Sequence, residues 1–166
     1  MRILFSCRAL DNMAGGVERM ACILLEAMRV RGHRMSLLTW DASSAAAFYD
    51  IHQDINWYQL GIGDPKRKAN FTERWKRARK MRELLRAEQP DVILAFQEGT
   101  FISTRLYSLG MEIPVIAAER NAPSRFEHLS ACKYKTIIYQ CFRLAQAVTI
   151  QVEAYRKDYT DYLHKK

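Results

Sequence analysis

The amino-acid sequence predicts an α/β domain built on a doubly wound, mainly parallel sheet with helices on both faces, the Rossmann-like architecture. Three observations carry this. Six apolar runs of strand length alternate along the chain with segments of helical period. The runs are nearly continuous in apolar residues, the pattern of strands covered on both faces. Right-handed crossovers between parallel strands then wind the sheet in both directions. The 166 residues fit one domain, and a domain of that size buries roughly 70% of its unfolded surface.

The elements follow in order. Arg2 to Cys7 (RILFSC) reads as the first buried strand. Gly16 to Arg31 reads as a helix whose Val17, Met20, Ala21, Leu24, Leu25 and Met28 share one face. Gly32 is its stop signal. Arg34 to Trp40 and Ile55 to Leu60 read as the second and third strands, and Gly61 to Ala69 as the likeliest flexible loop. Asn70 to Glu88 is a long helix closed by Pro90. Asp91 to Phe96 (DVILAF) is the clearest buried strand, followed by a helix from about Phe101 to Leu109. Pro114 to Ala118 reads as a strand, Ser130 to Ala145 as a helix, and Ala147 to Ile150 as a short sixth strand. Val152 to about His164 reads as a last helix with a stripe of Tyr155, Tyr159 and Tyr162. Ligands of such sheets bind at the carboxyl ends of the strands, so the informative loops are those after Cys7, Phe96 and Ala118.

Composition narrows the function classes. The net charge of +8 points to an anionic partner, such as a membrane surface, nucleic acid or phosphorylated ligands. Cys7, Cys22, Cys132 and Cys141 form no CxxC pair and sit in apolar segments, which reads as reduced thiols in a cytosolic protein. Met1 to Cys7 is too short for the apolar part of a signal peptide. No apolar run approaches the roughly 20 residues of a membrane span. His33, His52, His128 and His164 show no metal-ligand spacing, so no protein-bound metal and no resident cofactor is expected.

After the first strand, the segment Arg8 to Ala14 leads to Gly15-Gly16-Val17-Glu18-Arg19, which opens a helix. A glycine pair there permits backbone conformations closed to other residues and lets a phosphate approach free N–H groups at a positive helix end. A tight turn without a ligand is the alternative. A dinucleotide fingerprint fits poorly: GxGxxG is absent, the loop is too long, and no acidic residue closes the second strand beyond Asp41.

The stretch GGVERMACILLEAMRVRGHRMSLLT resembles the opening of family 4 retaining glycosyltransferases, which have the two-domain GT-B fold. The initial RILFSC, the strand PDVILAFQ and the segment IPVIAAERNAP are similar to that family's first, fourth and fifth strands, in the expected order. The resemblance implies that this chain is one Rossmann-like N-terminal domain on the acceptor side of the active site. It implies a donor-binding C-terminal domain absent from the chain, with a nucleotide-sugar as co-substrate of the whole enzyme. Gly15 and Gly16 would face the donor diphosphate. The family's donor motif holds two glutamates separated by seven residues. Glu18 with Glu26, and Glu119 with Glu127, have that spacing but lack its glycine-rich context, and we set both aside. The chain stops at Lys165-Lys166, about where the family's linker begins, so the expectation is a truncated chain, or a second domain carried on a separate one.

Many family members place a histidine or acidic residue just after the fourth strand, where this sequence has Gln97 and then Glu98. Glu98 either meets acceptor hydroxyls or simply begins the next helix, where a carboxylate suits the dipole. Glu119, Arg120 and Asn121 follow the fifth strand, where they either bond sugar hydroxyls or, for Arg120, a phosphate, or form an ion-paired loop ending at Pro123. Glu98 and Glu119 are the weak catalytic candidates. Arg8 either meets a phosphate or stands exposed.

Residues 66–88 hold ten basic and three acidic side chains, a local charge of +7. Phe71, Trp75, Ala78, Met81 and Leu85 are expected to face the sheet, which leaves Arg74, Lys76, Arg77 and Lys80 on an outer surface, either membrane-facing or a solvated charged face. The whole reads as a cytoplasmic enzyme half of cell-envelope polysaccharide biosynthesis, with a glycan or lipid-linked glycan as acceptor and peripheral contact with an anionic membrane. The alternative is a non-catalytic Rossmann-like module whose basic helix contacts nucleic acid or anionic membrane. No nucleic-acid motif or aromatic stacking platform is present, so nucleic acid is not expected as a partner.

Overall fold

A computed structural model describes residues 1–124 and 132–165. The start of the fourth helix at Ser130, together with Glu127, His128 and Lys166, lies outside the described residues. Among the described residues six strands and four helices follow in the order β1 (Arg2–Ser6), α1 (Gly16–Val30), β2 (Arg34–Thr39), β3 (Asn56–Gln59), α2 (Phe71–Glu88), β4 (Val92–Phe96), α3 (Glu98–Tyr107), β5 (Val115–Ala118), α4 (Cys132–Phe142) and β6 (Ala147–Thr149). The strands form one sheet in the order β3-β2-β1-β4-β5-β6, and every pairing is parallel. This is the Rossmann-like order, in which the winding reverses between β1 and β4.

Alternation along β1 splits the core into two layers. Ile3 and Phe5 pack with Ala21 and Leu25 of α1, and Leu4 points the other way, into the layer of Met81, Leu85, Phe101 and Phe142. The α1 layer is completed by Ile55, Ala47 and Ile51 from the connection between β2 and β3.

Local sequence explains the helix limits. Gly32, at φ +83°, ends α1 in a Schellman turn: its N–H donates to the Arg29 carbonyl and the His33 N–H to the Met28 carbonyl. Asn70 and Glu73 cap the start of α2 reciprocally, side chain to backbone. Gln89, at φ 45°, ends α2 immediately before Pro90.

Two sequence expectations fail. The stripe that faces the sheet from α2 begins at Arg77, not Phe71. Phe71 is 85% exposed and Trp75 57%, whereas Arg77 is 5% exposed. An 18-residue helix is roughly 27 Å long. The strands of 4–6 residues beside it span roughly 13–20 Å. The first turns of α2 therefore overhang the sheet and find no apolar surface to cover. The last helix is also absent. Residues Glu153–Asp158 and Leu163–Lys165 form two short 3-10 turns instead. Tyr159 adopts an extended backbone between them and stacks on Tyr139, with ring centroids 5.1 Å apart. That ring contact and the burial of Leu163 outweigh a continuous helical period.

Among the described residues Cys7, Cys22 and Cys141 are free thiols. Among the described residues no helix is long and apolar enough to cross a membrane.

Candidate active site

The carboxyl edge of the sheet is organised by three polar devices. Asp41, at the end of β2, is buried and accepts a 2.8 Å hydrogen bond from the Leu10 N–H, which ties the loop after β1 to its neighbour strand. Its other carboxylate oxygen is buried without a hydrogen-bond partner, and burial pushes its pKa up against the pull of these bonds. Beyond β5, Glu119 is 3% exposed. One oxygen of Glu119 accepts the N–H groups of Arg120 and Asn121, both at 2.8 Å. The second is buried without a hydrogen-bond partner. Burial, and then the charge of Glu98, raises its pKa to about 7. Asn121 extends this system by donating its side-chain amide to Glu98 at 2.8 Å. The loop after β5 is thereby fastened to the start of α3.

Gln97 sits at the end of β4 with φ 70° and ψ 152°, a region nearly reserved for glycine that costs on the order of 1–3 kcal/mol for other residues. It is held there from both sides. Its N–H donates to the Ala118 carbonyl, and its own carbonyl accepts from Phe101 to open α3.

Between these devices lies a cavity of about 280 Å³, immediately outside the point where the winding of the sheet reverses. Arg8 enters from the loop after β1, Trp40 from just beyond β2, Gln97 from the turn after β4, and Glu98, Gly99 and Thr100 from the first turn of α3. Pro65 and Arg67 enter from the loop after β3, and Arg77 from α2. A second cavity adjoins it under the glycine loop, lined by Met13, Val17 and Glu18 and sharing Arg8 and Gln97.

Arg8, Gln97 and Glu98, read from the sequence as site residues, thus meet around one cavity. Arg120 lies half-buried with its guanidinium 4.5 Å above the Phe96 ring, and burial lowers its pKa. Glu119 is turned inward onto its own loop, so it shapes the edge. Neither glycine at the start of α1 has a positive φ, so the conformational reason for the pair does not hold. Their small size remains. The Glu18 carboxylate folds over Gly15, whereas a Cβ at Gly16 would meet nothing within 4 Å. The first N–H groups of α1 have no intrahelical acceptor.

The membrane-facing assignment of Arg77 is corrected by the same geometry. Its Nε donates to the Ile62 carbonyl at 2.8 Å beneath the loop after β3, because that part of α2 lies against the sheet edge. Arg74, Lys76 and Lys80 are exposed as expected, and Lys80 also donates to the Gln59 and Leu60 carbonyls. Arg82 donates to the Tyr107 and Leu109 carbonyls at the end of α3. Part of the basic charge therefore satisfies carbonyls at loop and helix ends. Sequence reading missed Arg67, Thr100 and Ser103 as lining residues. Thr100 and Ser103 stand at i+3 on one face of α3, a signal visible only once that helix is known to begin at Glu98.

Glycosyltransferase Family 4 matches the sequence over residues 14–164, and the chain belongs to that family, as its N-terminal domain. No curated protein sequence matches it. Solved structures share the fold. Sucrose-phosphate synthase from Thermosynechococcus elongatus superposes with a TM-score of 0.74 at 12% identity, over 94% of this chain and 44% of its own. Anabaena HepE, in complex with UDP and glucose, gives 0.64 at 18% identity, over 96% and 40%. MurG of Acinetobacter baumannii gives 0.60 at 18% identity, over 89% and 40%. The chain thus spans less than half the length of these structures.

Proposed function

We propose that this domain is the acceptor-binding half of a glycosyltransferase, which moves a sugar with retention from a nucleotide-sugar to a glycan or lipid-linked acceptor. The observation that carries the reading is the cavity at the reversal point of the sheet, with Arg8, Gln97 and Glu98 around it and the cavity under the first turn of α1 beside it. Acceptor groups enter the cavity, where Glu98 is the carboxylate placed to meet a sugar hydroxyl. The donor diphosphate approaches the first turn of α1, where the helix dipole and free N–H groups favour negative charge. UDP in the Anabaena HepE complex supports a nucleotide-sugar as co-substrate. The donor sugar itself is gripped by a second domain, and this half carries no cofactor of its own. A site inside a cytoplasmic enzyme at the inner membrane face suits the exposed basic and aromatic start of α2.

The test uses a protein that carries this chain together with a donor-binding domain. It should transfer sugar from a nucleotide-sugar, with the anomeric configuration kept in the product by NMR. Gly16→Val should lower turnover at least tenfold while the thermal melt stays unchanged, because the new side chain enters space that is open in the free domain but needed by the diphosphate. Normal turnover in the folded variant would remove this loop from the active site.

A further inference from the structure

Three arginines, Arg8, Arg67 and Arg77, gather around the cavity beside α3. Arg77 is 5% exposed, and its Nη2 is buried without a hydrogen-bond partner although its Nε is anchored to the Ile62 carbonyl. A buried guanidinium with an unfilled donor is unfavourable until an acceptor completes it, and an anion does so while also balancing the charge. Arg8 faces the same space, with its Nε on the Pro65 carbonyl at 2.6 Å. Arg67 is engaged by Glu73, and Glu98, the carboxylate in the lining, is engaged by Asn121. Glu73 is thereby paired with Arg67, and the Arg77 Nη2 is left for a ligand. The ten-residue α3 starts at this wall with its first N–H groups free of intrahelical acceptors. Gly99, Thr100 and Ser103 line the wall beside that first turn, and a Cβ at Gly99 would meet nothing within 4 Å.

The geometry points to a phosphoryl subsite: Arg77, Arg8 and the first turn of α3 hold a phosphate ester carried by the acceptor. This deepens the transferase reading and rests on it for the word acceptor. It narrows the substrate class to phosphorylated sugars or phosphate-bearing lipids. Phosphate suits the site better than a lone carboxylate, because guanidinium donors and helix N–H groups approach from different sides and three terminal oxygens can meet them.

Calorimetric titration of the chain with inorganic phosphate, glucose 1-phosphate and glucose tests the subsite. Both phosphate probes should bind and glucose should not. Arg8→Gln, at an exposed position, should weaken phosphate binding at least tenfold with an unchanged melt, and Thr100→Val should weaken it less. Arg77→Met should abolish it; if that variant unfolds, Arg8→Gln alone decides. Equal binding of glucose and glucose 1-phosphate, or undiminished binding by Arg8→Gln, would overturn the proposal. Vesicles of phosphatidic acid, beside vesicles of phosphatidylcholine, separate the sources. Displacement of glucose 1-phosphate by the anionic vesicles assigns the site to a lipid phosphate; binding undisturbed by both assigns it to a soluble ester. In the two-domain protein, retained phosphate binding without any sugar transfer would sink the transferase reading and leave the subsite standing. Transfer unaffected by Arg8→Gln, with a phosphate-bearing acceptor, would sink the subsite alone.

Discussion

Glu119 joins a local geometry to a measurable property of the whole chain. Its carboxyl group lies under the loop after β5, with one oxygen on two backbone N–H groups and the other without a hydrogen-bond partner. Burial is the larger cause of its raised pKa, about 7 against the usual 4.5, and the Glu98 charge adds to it. Between these values the folded chain holds a proton that the unfolded chain has released. Stability therefore falls as pH rises from about 4.5 to about 7, and stays lower above it. At about 1.4 kcal/mol per pKa unit, the loss is roughly 3 kcal/mol. Glu119→Gln mimics the protonated form. Urea unfolding at pH 5 and pH 8 should show the variant gaining on the wild type by that order at the higher pH. Parallel pH dependence of the two proteins would mean that Glu119 does not carry this proton. Arg120, Tyr139 and Tyr159 are the other titratable neighbours, and burial pushes the two tyrosines up, Tyr139 to about 12.

At the scale of one element, α2 divides into two halves. Its second half packs through Arg77, Met81 and Leu85. Its first half overhangs the sheet and exposes Phe71 and Trp75 beside Arg74 and Lys76. Exposed aromatic rings flanked by cations form a surface suited to an anionic bilayer, where each basic residue contributes about 1 kcal/mol. We predict that the chain co-sediments with anionic vesicles but not with neutral ones, and that salt weakens the binding, since such attraction is screened over about 8 Å at physiological ionic strength. Changing Arg74 and Lys76 to Glu, with Trp75→Ala, should abolish it and leave the fold intact, because none of the three is buried. Arg77 is kept, because it belongs to the packed half. Equal sedimentation with both lipids, or undiminished binding by the folded variant, would reduce this surface to a solvated face.

At the scale of the molecule, the site lies along one edge of a sheet and is open on its outer side. Transfer requires donor and acceptor held together in one cleft, where orientation supplies much of the rate. The 166-residue chain by itself should therefore yield no product above blank with nucleotide-sugars and phosphorylated or neutral acceptors. Chromatography of the reaction mixture checks this, and robust turnover by the chain alone would overturn the assignment of the donor site to a second domain.

The sequence by itself determined the sheet, its six strands, the order of helices and the glycine stop that ends α1. These depend on periodicity and on residues such as Gly32, whose effects are local. It also placed Arg8, Gln97 and Glu98 at strand ends, because the carboxyl edge follows from parallel topology. Tertiary structure decided the rest. Which side of α2 faces inward depends on where the sheet ends, a length that helical periodicity does not contain, so Phe71 and Arg77 exchanged the places their spacing suggested. The last helix gave way to 3-10 turns because Tyr159 gains more by stacking on Tyr139 than by extending a local period. Glu119 and Arg120 turned inward through contacts with Asn121, Glu98 and Phe96 that the topology brings within reach. The gathering of Arg8, Arg67 and Arg77 around one cavity joins residues from three different segments, and only the closing of the sheet could bring them together.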